Sequence, residues 1–135
     1  MRQAELTWFR LKFPNDLSQE AVIAALASFS GLPHPTRLVF DLTASRPGIT
    51  HHLAISPKAA ETVLGSLRAA IPSLRLDRVE PPLHRRGLRA LWQVSPATAV
   101  IRTDGLPAIA SGLLASLFPL GSDEAVRLTW TLRPH

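Results

Sequence analysis

His51 and His52 are the only adjacent histidines in the chain, and a strand through them sends their rings to opposite faces. One metal ion cannot then be gripped by both, as i, i+2 or i, i+4 pairs grip it. His34, His84 and His135 fall in connections or at the terminus, with no carboxylate at ligand spacing. Asp41 and Asp77 each stand on a predicted strand beside Arg or Thr. Without a second carboxylate nearby for general acid–base work, surface ion pairing is their expected role. The chain has no cysteine, which removes disulfides, thiol catalysis and thiolate metal sites together. H-x-E, D-x-D, G-x-S-x-G and C-x-x-C are all missing, and Gly65-Ser66 sits inside a predicted helix with no following lysine to hold phosphate. These residues predict no enzyme, no catalytic residue, no metal and no cofactor.

Binding chemistry has more to work with. Trp8, Arg10 and Lys12 alternate onto one face of a strand, the mix of stacking ring and cation that RNA-binding sheets use. The candidate outward residues of the third strand, Thr50, His52, Ala54 and Ser56, add no Phe, Tyr or Trp, so the alternative is that Trp8 covers an interface with the second half of the chain, as Trp92 and Trp130 could. Arg85, Arg86 and Arg89, with His84 beside them, form the densest basic cluster. Three arginines neutralise about two or three phosphates, giving weak binding without sequence preference. Their alternative role is to keep a proline-rich linker soluble and to pair with Glu80, Asp77 or Asp104.

These side chains need a scaffold, and the composition provides one. In 135 residues, 46% are apolar and 19% charged, a balance of globular rather than disordered chains. The net charge is +5, and thirteen of the fifteen basic residues are arginines. Leu6 to Phe13 alternates as a half-buried strand. Asn15 and Asp16 offer a cap, with Gln19 in capping-box position, for a helix whose stripe is Val22, Ala25, Leu26 and Phe29 and which ends at Gly31. Leu38–Thr43 and Ile49–Ile55 read as a hairpin turned by Arg46-Pro47-Gly48. Ser56-Pro57 opens a second helix with Ala60, Val63, Leu64, Leu67 and Ile71 inward, and Leu74–Val79 closes the set. The order β-α-β-β-α-β over residues 1–80 predicts a ferredoxin-like two-layer α+β sandwich.

Residues 81–87, Pro/Arg-rich and ending in glycine, read as a linker. Residues 88–135 then read as β-α-β, a half-repeat of the same type: extended segments near Leu88–Val94 and Ala99–Arg102, a helix capped at Asp104, and a strand through Val126, Leu128, Trp130 and Leu132. A shift of 88 residues places Asp16 on Asp104, Leu26-Ala27-Ser28 on Leu114-Ala115-Ser116, and Leu38-Val39-Phe40 on Val126-Arg127-Leu128. Either the chain holds a duplication that stops half-way, or helix and strand periods coincide. The helix from Leu106 to Phe118 carries no charge, so more than one of its sides is expected to be covered. Leu113 and Leu114 are assigned to the second-half strands, and Ile109 and Leu120 to an interface with the first domain or another chain. Gly105 to Ser122 is uncharged, but Pro107 and Pro119 leave eleven residues between them, too few to span about 30 Å of hydrocarbon. With no cleavable leader apparent after Met1, a cytoplasmic location is expected.

Three phrases carry a family resemblance: Leu11-Lys12-Phe13-Pro14-x-Asp16-Leu17-x-x-Glu20-Ala21-Val22-x-Ala24-Ala25-Leu26; Gly-x-x-His-His-Leu at 48–53; and Leu128-Thr129-Trp130-Thr131-Leu132-Arg133-Pro134. Together they resemble the amino-terminal region of actinobacterial conjugative DNA-transfer ATPases of the type IV secretion class. The resemblance implies an accessory or assembly domain preceding a P-loop motor. Its implied partners are sister subunits or secretion-channel proteins, with weak DNA contact, at the inner face of the membrane within a larger assembly. No Walker lysine occurs here, so ATP binding transfers to no residue of this chain.

Overall fold

The computed structural model describes residues 5–83, 86–91, 106–116 and 120–132. Within them the order is β1 (Thr7–Lys12), α1 (Gln19–Ser28), β2 (Leu38–Ser45), β3 (Gly48–Ile55), α2 (Ala60–Ala70), β4 (Arg75–Val79), α3 (Leu106–Ser116) and β5 (Ala125–Leu132). The strands form one sheet, β4-β1-β3-β2-β5, antiparallel at every seam. The architecture is therefore α+β, with a five-stranded antiparallel sheet and three described helices.

Strand alternation decides what each face holds. Phe9, Leu11, Leu38, Leu53 and Ile55 point to the side where Ala25, Phe29, Val63, Leu67 and Ile71 of the helical layer meet them, and all ten are buried. The hairpin between β2 and β3 turns on Arg46 and Pro47, with Ser45 paired to Gly48. Gly48 has φ +145°, a conformation that a Cβ disfavours.

Two helix starts differ from the sequence reading. α1 is capped by Ser18, whose Oγ accepts the Ala21 amide at 3.1 Å, because a turn from Pro14 to Leu17 comes first. Asn15 and Asp16 are thereby left outside the helix. At α2, a 3-10 turn over Pro57–Ala59 leads into the helix, and the Ser56 hydroxyl is engaged by the Arg37 amide at 2.8 Å instead of capping.

The inward face of α1 also differs. It docks through Ala21, Ala25 and, one turn on, Phe29, whose ring lies 6.1 Å from that of Phe40. Small alanines let the helix approach the core closely, and the ring contact fixes its rotation. Leu26, expected in the core, is 50% exposed.

In the second half, residues 86–91 carry no helix or strand, while 92–105, including Asp104 and the expected segment at 99–102, lie outside the described residues. The strand expected through Val126–Leu132 is β5, and among the described strands it takes the outer place beside β2. Among the described residues no helix is long and apolar enough to cross a membrane.

Candidate functional site

The face of the sheet away from α1 and α2 carries a polar row in strand register. From one edge to the other it runs Asp77, Arg10, His52, Asp41 and Thr129. One step along the strands, Trp8 lies between Val79 and Ala54, and in the other direction Lys12 pairs with Arg75. Arg10 and Lys12 are exposed and Trp8 is half-buried. The structure therefore brings Trp8, Arg10 and Lys12 together on one face, with Arg75 as a further cation. β3 supplies Thr50, His52 and the fully buried Ala54 opposite them, so no second large stacking ring joins Trp8 from that strand.

At the far end of β1, a cleft of about 290 Å³ is lined by Arg10, Lys12, Phe13, Ile49, Thr50 and His51 among others. His51 and His52 do face opposite sides of the sheet, since His51 pairs with Leu11 and Leu42 while His52 pairs with Arg10 and Asp41. The His51 ring meets Phe13 edge-on at 5.2 Å. Burial lowers its pKa, and His52 beside it adds to the effect. For His52, burial again lowers the pKa and is the largest influence; the Asp41 carboxylate opposes it, and Arg10 and Arg127 act with it.

Asp41 corrects the expectation of a surface pair. Its side chain is wholly buried, and its Oδ2 accepts from Nε of Arg127 at 2.5 Å and from the Nη2 of the same guanidinium. Neighbouring register places the two residues on one face: Thr43 opposes Arg127 and Asp41 opposes Thr129. Asp41 Oδ1 and His52 Nδ1 are buried without a hydrogen-bond partner. A signal for burial was present in the sequence, because Asp41 interrupts the apolar run Leu38-Val39-Phe40 before Leu42. Nothing comparable pointed to Arg127.

The basic linker is only partly described. Arg86 and Arg89 are exposed, and Arg85 lies outside the described residues together with His84. Among the described residues no ion pair joins Arg86 or Arg89 to Asp77 or Glu80.

No family model, curated protein or solved structure matches this chain. Part of its exposed surface is apolar. Of the two expected interface residues, Ile109 is 62% exposed and Leu120 is half-buried. Leu113 and Leu114, expected to face neighbouring strands, are exposed as well. On β5, Trp130 and Leu132 point to the helical side of the sheet, opposite Phe40 and Leu38. Trp130 is nevertheless 52% exposed, so α1 and α2 leave this end of the sheet uncovered.

Proposed function

We propose that the chain is a non-catalytic assembly domain acting through protein–protein contacts, in the conjugative DNA-transfer setting that its resemblance implies. The observation that carries this reading is exposed apolar surface at two places: an uncharged α3 showing Ile109, Leu113 and Leu114, and the outer strand β5 showing Trp130 and Leu132. Clustered exposed side chains of this kind mark contact surfaces. Sister subunits or secretion-channel proteins are the partners, and no cofactor is involved. A cytoplasmic location at the inner face of the membrane belongs to the same reading. The strand order β4-β1-β3-β2 supports a ferredoxin-like reading of the first four strands, and in this reading residues 88–135 are its half-repeat, of which α3 and β5 are described.

A second reading follows from Trp8, Arg10, Lys12 and Arg75 sharing one sheet face: a free-standing module that binds single-stranded nucleic acid or a small ligand. In the assembly reading, Arg85, Arg86 and Arg89 give DNA only weak contact without sequence preference. Sedimentation equilibrium of the full chain, alongside anisotropy of a labelled oligonucleotide, separates the readings at about 50 and 200 mM salt. Apolar assembly predicts self-association that salt leaves intact, with single-stranded oligonucleotide binding that drops only roughly 7- to 18-fold over that range, as two or three phosphates require. A chain that stays monomeric and binds the strand with a salt slope steeper than about −4 overturns the assembly reading.

A further inference from the structure

We infer that β5 pairs with β5 of a second copy, antiparallel about a two-fold axis at Thr129, so that two sheets join into one. The inference rests on the assembly reading and names its partner. Among the described residues β5 is the outer strand of the sheet, eight residues long, and it contains no proline or lysine. Natural edge strands are usually blunted by such residues or kept short, because their free amide and carbonyl groups recruit another strand. The one charged residue of β5, Arg127, is held by Asp41 on its own sheet.

The sequence of β5 is complementary to itself. An antiparallel two-fold keeps both helical layers on one side of the joined sheet and pairs residues of like face. With the axis at Thr129, Val126 faces Leu132 and Leu128 faces Trp130, so every apolar residue on the helical side meets another. On the opposite side, Arg127 faces Thr131 and Thr129 faces its own copy, with no like charges opposed. Moving the axis to Leu128 sets Leu132 against Glu124, whose carboxylate already accepts the Gly121 amide. The half-exposed Trp130 ring then has a place to go, against the copy's Leu128 beyond the reach of α1 and α2.

The absence of cysteine makes the register directly testable. In the full chain, Thr129→Cys places two sulfurs across the axis at the Cα separation of directly opposed residues, about 4.5 to 5.5 Å, which a disulfide spans. Thr131→Cys places its two copies four residues apart along the seam, about 14 Å, beyond reach. Mild oxidation should give at least tenfold more covalent dimer from Thr129→Cys than from Thr131→Cys; equal yields overturn the register. In parallel, sedimentation of Trp130→Lys should show a dimer dissociation constant raised at least tenfold, with circular dichroism confirming the fold, while Ile109→Asp leaves it unchanged. If Ile109→Asp abolishes association and Trp130→Lys does not, edge pairing fails and the assembly reading survives through α3. A wild-type chain that stays monomeric and binds the oligonucleotide with a steep salt slope removes both.

Discussion

Asp41 and Arg127, 86 residues apart in sequence, meet across the β2–β5 seam with one guanidinium engaging one carboxylate oxygen. The carboxylate is wholly buried while the arginine side chain keeps about a quarter of its surface exposed. The pair is thus anchored at one end and hydrated at the other, and the cost of breaking it falls on the buried end.

Removing Arg127 should therefore be much worse than removing both partners. Arg127→Leu leaves a buried charge uncompensated and is expected to cost about 3 kcal/mol, whereas Asp41→Leu combined with Arg127→Leu should return to within about 1 kcal/mol of the native chain. Urea unfolding of the native protein and the two variants measures this. A double variant as unstable as Arg127→Leu would mean that the pair is not the origin of the effect.

Stability should fall on mild acidification. His51 and His52 both have pKa values below the ordinary 6.5, with burial as the first cause. Between the lowered value and 6.5 the unfolded chain binds more protons than the folded one, so stability is full above about pH 6.5 and declines as pH drops below it. His52→Gln should make the decline shallower, as read from urea midpoints between pH 8 and pH 5. A slope unchanged in that variant would take His52 out of the linkage.

The core boundary on α1 can be tested by two leucines. Leu53 is completely buried and Leu26 half-exposed. Leu53→Ala should cost on the order of 2 to 5 kcal/mol, and Leu26→Ala less than about 1 kcal/mol. Comparable losses at both positions would place Leu26 back in the core.

Two glycines should respond to alanine with opposite signs. At Gly48, φ +145° makes any side chain strained, so Gly48→Ala is expected to lose about 1 to 3 kcal/mol. Gly65 is exposed inside α2 with nothing within 4 Å of an added Cβ, and Gly65→Ala should gain about 0.5 to 1 kcal/mol. Thermal unfolding distinguishes the two, and a gain at Gly48 would contradict the hairpin geometry.

What the sequence made legible was local. The Arg46-Pro47-Gly48 turn and the Val63, Leu67, Ile71 stripe both depend on residues a few positions apart, and both stand as read. The rotation of α1 was not legible, because Leu26 outweighs Ala25 in any hydrophobic count while Ala25 is what permits close approach. The same holds for the candidate site. Trp8, Arg10 and Lys12 share a face by alternation alone, but His52 joins Arg10 only through register with β3, and Asp41 finds Arg127 only through a pairing that spans most of the chain.

That distant pairing has a kinetic side. Until β5 docks, β2 is the rim of a four-stranded sheet and Asp41 can keep its water. Closing a loop of about 86 residues costs roughly 4 kcal/mol in chain entropy, and contacts of such separation slow folding. β5 is accordingly expected to join after the folding barrier is crossed, its contacts setting how long the native state lasts rather than how quickly it is reached. Arg127→Leu should then speed unfolding and leave the refolding rate nearly unchanged in stopped-flow measurements, the pattern of a side chain that locks a structure already formed.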